Sequence, residues 1–289
     1  MGWAHFRRQD ASGERENSAS TVRFGKGEQC RVQMRLAIAG AEQSQILLIE
    51  EPENHLSHSN LNMLINDISN DCADPQVILT THSAFVLNKL GIDNLRLISH
   101  SGKTASLMGL APGTKDYFMK LPGYDTLRLL LSRRSILVEG PSDDLVVQRA
   151  YRDKHGRLPV EHGVDVISVG ALAFKRFLEI AVLLNLDVRV VTDNDGDVAA
   201  LKAKYTDYLN GEHAKIRIFY DSDERCPTLE PQLLKANGRQ TLNKILEKDY
   251  RDDETLLNYM RGNKTDGALK LFETTQTWIA PEYIANAIK

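Results

Sequence analysis

Apolar positions along the chain follow two rhythms, a helical one of about 3.6 residues and a strand one of short continuous runs, and the two succeed one another in order. From Gln29 to Ala41, QCRVQMRLAIAGA sets Val32, Leu36 and Ala39 on one helical stripe, and QILLIEEPE follows as a buried strand ending in acids. Asn60 to Ser69 repeats the helical spacing ahead of a second buried strand, PQVILTTHS. Leu95 to Ser99 and Ala105 to Leu110 flank the turn SGK and predict a hairpin. TKDYFMKLPGYDTLRLLLS then reads as a helical connector broken at Pro122 and Gly123. After Arg134 the alternation restarts: strand SILVEG, helix SDDLVVQRAYRD, strand GVDVISVG, helix LAFKRFLEIAVLLN, strand DVRVVTDND. A last strand, KIRIFY, precedes a helical tail from about Pro231. The order predicts an α/β fold with right-handed crossovers and a parallel sheet covered by helices on both faces.

The pattern divides the chain into residues 1–22, polar and expected to be disordered or foreign to the fold, a first lobe over 23–112, a connector over 113–133, and a second domain with its tail over 134–289. A length of 289 residues with 42% hydrophobic and 26% charged content suits that division. No apolar run reaches the roughly 20 residues of a bilayer span, and the N-terminus has no apolar centre, so a cytoplasmic protein without a membrane partner is expected. Cys30, Cys72 and Cys226 are odd in number and outside CxxC spacing, which argues against a disulfide framework or a thiolate zinc site. The formal charge of -3 exerts no global pull on nucleic acid, although carboxylates gathered for metals lower the net charge of a protein that still acts on a polyanion.

In an open parallel sheet, ligands collect beyond the carboxyl ends of the strands, and two of these strands end in acid there, ILVEG at Glu139 and VVTDND at Asp193 and Asp195. If strand geometry persists, the carboxylates of Asp193 and Asp195 point to one side and repel unless a cation lies between them. Magnesium or manganese suits such oxygen donors. A helix beginning at Pro141 lets Asp143 lean back toward Glu139. Singly, each acid reads as a solvated group or cap, and DNDGD as a calcium loop or turn; the spacing shared by two strands favours a metal centre.

Glu139-Gly140 followed by Asp193-Asn194-Asp195 resembles the Toprim domain of topoisomerases, primases and certain nucleases over roughly Ser135 to Asp197. SVG at Ser168 to Gly170, TLE at Thr228 to Glu230 and NKTDGAL at Asn263 to Leu269 resemble the overcoming-lysogenisation-defect (OLD) family of ATP-dependent nucleases. The resemblance implies that Asp193, Asp195 and Glu139 surround one metal, that Asp143, Glu230 and Thr228 serve a second, and that Lys264 contacts the scissile phosphate. It implies in-line phosphodiester hydrolysis, with the metals activating water and stabilising the departing 3′ oxygen. Without it, Lys264 reads as a solvated lysine, Glu230 as a helix-start acid and Asp197 as a helix N-terminal acid.

In the first lobe, LLIEEPE resembles the Walker B strand of ABC ATPases, with Glu50 in the place of the magnesium-linked acid and Glu51 in that of the acid that polarises water. ENHLSH resembles the D-loop, ILTTHS places His82 as the switch histidine, and FGKGEQ, with Gly25, Gly27 and Gln29, resembles the signature motif that caps a nucleotide held by an opposite subunit. Together they imply a partial ABC-ATPase lobe of P-loop type ahead of a Rossmann-like Toprim sheet. No GxxxxGK[ST] occurs in the sequence. The family carries that phosphate cradle in an N-terminal half that this sequence does not contain, so the chain alone is expected to bind ATP weakly or not at all. It is expected to act as a homodimer or with a complementary ATPase half that supplies Walker A.

The leading expectation is a magnesium- or manganese-dependent DNA endonuclease, ATPase-regulated in an intact parent, with a family link to phage defence. A topoisomerase needs a nucleophilic tyrosine in a DNA-gripping domain, and Tyr117, Tyr124 and Tyr151 sit in none; a primase needs template and nucleotide-binding modules. A non-catalytic ATPase-like subunit that clamps DNA or dimerises is the alternative from another class. Arg128, Arg133, Arg134, Arg152, Lys154 and Arg157 are the local basic groups, each read first as a solvated helix face.

Overall fold

The computed structural model describes residues 25–40, 45–71, 76–98, 104–120, 125–170 and 173–289. The polar segment 1–22, the turn SGK and the break at Pro122 and Gly123 lie outside the described residues. By contact the chain separates into two units, 1–79 and 80–289.

In the first unit, α1 (Lys26–Ala39), β1 (Ile46–Glu50), α2 (His58–Asp71) and β2 (Gln76–Thr80) follow in order, and β1 and β2 form a two-stranded sheet. Helix α2 buries Leu61, Leu64, Ile65 and Ile68, the spacing of one helical face. The predicted buried strands are corrected here, and the predicted apolar stripe of α1 is exposed at Val32 and Leu36. Val32 is 43% and Leu36 68% exposed, and in β1 and β2 exposed positions, among them Ile46, Leu48 and Ile78, alternate with half-buried ones. Alternate residues of a strand point to opposite faces, and this sheet has one face covered.

The second unit begins with α3 (Ala84–Leu90) and the antiparallel hairpin β3 (Arg96–Ile98) and β4 (Thr104–Ser106), with Leu97 opposite Ala105. Helices α4 (Pro112–Lys120) and α5 (Asp125–Leu131) follow. Four parallel strands come next, β5 (Arg134–Val138), β6 (Val164–Ser168), β7 (Val188–Val191) and β8 (Ile216–Phe219), in the spatial order β6-β5-β7-β8. Their crossovers are α6 (Pro141–His155), α7 (Phe174–Leu184), and α8 (Val198–Lys204) with α9 (Thr206–Leu209). The tail is α10 (Leu229–Leu246), α11 (Asp253–Gly262), α12 (Lys264–Glu273) and α13 (Glu282–Ala287).

The sheet is buried on both faces. Ile136 and Val138 of β5 join α6 and the tail, through Leu242, Leu256, Leu271 and Ile284. Leu137 between them joins α7 together with Ile92, Leu107, Phe118 and Leu129. The described residues between 84 and 131, read from sequence as the end of the first lobe and the connector, therefore pack by contact within the second unit. Buried Arg149 of α6 donates to the carbonyls of Leu271, Phe272 and Thr274 at 3.0, 2.8 and 2.7 Å, serving oxygens that the end of α12 leaves without partners. The connection from β5 runs to β6 on one side, and β7 lies on the other, so the switch point of the sheet falls between β5 and β7.

Candidate metal centre

Glu139 follows β5 and Asp193 follows β7, on either side of that switch point. Glu139 Oε1 accepts hydrogen bonds from Thr192 Oγ1 at 2.6 Å and from the Asp193 backbone N–H at 3.0 Å, so the two strand ends are joined directly. Pro141 opens α6, and Asp143 in its first turn turns back so that Oδ2 accepts from Gly140 N–H at 3.1 Å. The backbone N–H of Gly170, at a left-handed φ of 75°, donates to the Glu139 carbonyl at 3.1 Å and ties the end of β6 to the same corner.

Glu230 reaches this edge from α10. It is 4% exposed, accepts from Thr228 Oγ1 at 2.8 Å, and pairs with Lys264 Nζ at 3.4 Å. Lys264 is the first residue of α12, with its side chain about half exposed.

The geometry expected of Asp193 and Asp195 is corrected. Strand β7 ends at Val191, and Asp195 takes a left-handed φ of 51° followed by Gly196 at 81°, so the two carboxylates do not share a strand face. The cause is Asn194, 1% exposed, whose Nδ2 donates to the carbonyls of Asp221 (2.8 Å), Asp223 (3.1 Å) and Cys226 (3.4 Å) while Oδ1 accepts from Gly196 N–H at 2.8 Å. Asp195 N–H donates to the Pro227 carbonyl at 3.1 Å. The 193–197 turn is thus fastened to the loop that leads into Thr228 and Glu230. Asp197 caps α8 through Ala200 N–H, the structural role expected of it.

Electrostatics sets Asp193 apart. Desolvation, then the charges of Asp143, Glu139, Glu230 and Asp195, push its carboxyl up to about 8. Desolvation and Glu139 push Asp143 up to about 7, against the Gly140 hydrogen bond. Asp193 Oδ1 is buried and has no hydrogen-bond donor. An anionic oxygen in that position lacks a positive partner, which is the donor chemistry a hard divalent cation meets. Among the described residues, no three His, Cys, Asp or Glu side chains stand ready as ligands of one ion. Glu139, Asp143 and Glu230 are each turned to a local donor, and Asp195 lies on the exposed turn.

Two segments of the chain match known protein families. Residues 130–195 match the family described as the overcoming lysogenization defect protein-like TOPRIM domain. This segment is an OLD-like Toprim domain. Residues 27–88 match an AAA domain described as putative AbiEii toxin, type IV TA system, so an AAA ATPase segment precedes the Toprim domain. Among solved structures, the chain is similar to the C-terminal region of the Xanthomonas campestris pv. campestris OLD protein, at 21% identity over 56% of this chain and 92% of that one, TM-score 0.41. It is also similar to the C-terminal region of the Burkholderia pseudomallei OLD protein, at 20% identity over 54% and 95%, TM-score 0.42. No curated protein matches the chain.

Gly25, just ahead of the AAA segment, precedes α1, and a Cβ at Gly27 would run into the His55 carbonyl, so only glycine permits this approach to the turn at His55. Gln29 N–H donates to the Gly25 carbonyl at 3.1 Å. Glu50 ends β1 on an exposed position, and Glu51 at φ 42° accepts from Asn54 Nδ2 at 2.6 Å. His82 follows β2 and is exposed.

Around the Toprim domain several basic groups are engaged within the fold. Arg128 pairs with Asp165 at 2.5 Å, Arg134 with Asp187 at 2.7 Å, and Arg152 lies over the Phe272 ring. Arg133, Lys154 and Arg157 are exposed. Sequence reasoning missed Thr192 and Asn194. The Asn194–Gly196 contact is a local turn signal legible in DNDG, whereas its carbonyl partners lie 27–32 residues away. No helix among the described residues is long and apolar enough to cross a membrane.

Proposed function

We propose that the chain is a divalent-metal-dependent DNA endonuclease of the OLD Toprim type that hydrolyses phosphodiester bonds at the β5–β7 edge. The observation that carries the proposal is the buried Asp193 oxygen without a donor, set among Asp143, Glu139 and Glu230. Asp193, Glu139 and Asp195 would hold one magnesium or manganese ion, and Asp143, Glu230 and Thr228 a second. Such ions supply Lewis-acid stabilisation of the phosphoryl and leaving oxygens and lower the pKa of bound water.

The chain's own residues prepare the site. Thr192 and the Asp193 N–H hold Glu139 in place, Gly140 holds Asp143, and Asn194 fixes the turn beneath Asp193. Lys264, tethered to Glu230 yet half exposed, is placed to offer positive charge to a phosphoryl oxygen. The AAA segment supplies Walker B, D-loop, switch and signature elements to a nucleotide site completed by a Walker A-bearing partner, and that site regulates cleavage.

Incubation of the purified chain with supercoiled plasmid and Mg2+ or Mn2+ tests this reading. The expected result is open-circle or linear DNA, abolished by Asp193→Ala and by Glu139→Ala. Cleavage that survives both substitutions, or none with or without a Walker A-bearing partner, overturns it.

A further inference from the structure

Beyond the end of β8, the edge strand, an open cavity of about 500 Å³ lies between the Tyr220–Ser222 turn, the first turns of α10 and the start of α13. Its volume falls within the roughly 300–1,000 Å³ of small-molecule sites. None of the acids assigned to metal binding lines it.

Charge restricts what it can hold. Asp221 and Glu282 line the cavity against a single cation, Lys235, whose ammonium is already held by Asp221 at 3.2 Å and Asp223 at 3.3 Å. A phosphate would meet net negative charge, whereas a neutral ring would not. The walls suit such a ring. Half-buried Tyr220 supplies aromatic surface and exposed Ile279 apolar surface, with the buried Pro281 and Tyr283 behind them, and Ser222 and Asn286 add polar groups able to meet the edge of a heterocycle. Ile279 is 63% exposed, yet its neighbourhood is fixed, because Asn237 accepts from its N–H at 2.6 Å and donates to its carbonyl at 2.9 Å. A large apolar side chain is therefore held at the cavity wall with little covering it.

Position supplies the rest. Strand β8 pairs with β7, Val191 opposite Phe219, so Tyr220 leaves the sheet beside the segment that leads to Asp193. Neighbouring strands are about 4.8 Å apart. Tyr283 donates to Gln232 Oε1 at 2.5 Å, Gln232 Nε2 donates to the Cys226 carbonyl at 3.1 Å, and that carbonyl also accepts from Asn194. One hydrogen-bonded chain thus runs from the cavity wall to the turn that carries Asp193.

We propose that this cavity receives an unstacked nucleobase of the nucleic-acid strand whose phosphodiester lies at the acid cluster. The proposal rests on the nuclease reading and deepens it: the strand is positioned by one extruded base as well as by its backbone. Single strands pay least for such unstacking, and an aromatic face such as that of Tyr220 accepts any base.

The test is a binding cycle in Ca2+, read by fluorescence anisotropy, with a short labelled thymidine oligonucleotide and a fully abasic strand of equal length. The variants are Ile279→Ser, an exposed change, and Ala236→Phe, which fills the cavity. The wild-type chain is expected to prefer the base-bearing strand by about 5- to 150-fold, the range for one stacked base. Both variants should lower that preference at least fivefold while binding the abasic strand as before, which also reports that they are folded. A preference unchanged in Ile279→Ser, or absent from the wild type, overturns the proposal. Plasmid cleavage is assayed beside it, with and without a Walker A-bearing partner: no cleavage in either case with the base preference intact overturns the nuclease reading alone, and failure to bind either strand overturns both.

Discussion

A carboxyl group buried among other carboxyls binds its proton more tightly in the fold than in the unfolded chain, and Asp193 and Asp143 do so up to about 8 and about 7. At these two carboxyls the folded chain therefore holds more protons than the unfolded one between about pH 4 and about pH 8. The stability that this contributes is fully present below the unfolded carboxylate range and is lost as pH rises through the two raised values. Glu139, Glu230 and Asp195 add to the repulsion, and Lys264 beside Glu230 partly offsets it. In EDTA the melting temperature should fall between about pH 5 and about pH 8.5, and Asp193→Asn should reduce that slope and melt a few degrees higher at the alkaline end. Mn2+ should raise the melting point of the native chain more at about pH 8.5 than at about pH 5, and that of the variant little; equal shifts at both pH values would separate metal binding from these carboxyls. Asn194 acts by position. Its removal leaves the Asp221, Asp223 and Cys226 carbonyls without their shared donor, at a cost of about 1–3 kcal/mol. Asn194→Ala and Asn194→Asp should both lower the melting point by several degrees and cut cleavage more than tenfold, since a carboxylate cannot donate; unaltered cleavage in either variant would contradict this positioning role.

At the scale of elements, α10 and α12 bring groups from distant sequence to the sheet edge. Helix α10 places Glu230 and Gln232 on its first turns and then kinks at Gly238, where φ 72° and ψ 158° form a backbone state close to exclusive to glycine. Gly238→Ala should cost about 1–3 kcal/mol, read as a lower urea midpoint. Helix α12 begins at Lys264, whose half-exposed side chain contributes little packing. Lys264→Ala should lower the melting point only modestly, through loss of its ion pair to buried Glu230, while lowering plasmid cleavage by about 100-fold, the scale for loss of one stabilising group at a developing charge. A matched loss of stability and activity would instead make Lys264 structural.

At the scale of the whole chain, no GxxxxGK[ST] occurs in the sequence, while the AAA segment holds Glu50, Glu51 and His82, the acids and histidine proposed for a nucleotide site. Equilibrium binding of labelled ATP to the chain alone should be weaker than micromolar, and tight binding would show that these elements suffice. The order of the strands, the acids at the ends of β5 and β7, and the turn of Asp143 back toward Glu139 were all legible in the sequence, because period-2 and period-3.6 patterns and a proline at a helix start act over a few residues. The Asx-type turn of DNDG was legible in part, but not the left-handed Asp195 that takes its carboxylate off the strand face. That conformation depends on carbonyls from the 221–226 loop, and the burial of Glu230 depends on a tail folded over one face of the sheet. In the same way, the stripe of Val32 and Leu36 was visible as a pattern, but its exposure was not, since a sequence gives the direction of an apolar face and not what covers it. The sequence by itself determined the α/β order and which residue types stand at the strand ends. Tertiary structure alone decided which of those carboxyls are desolvated, which are paired and which oxygen is left without a donor, because burial and charge coupling depend on neighbours that chain folding brings together from far apart.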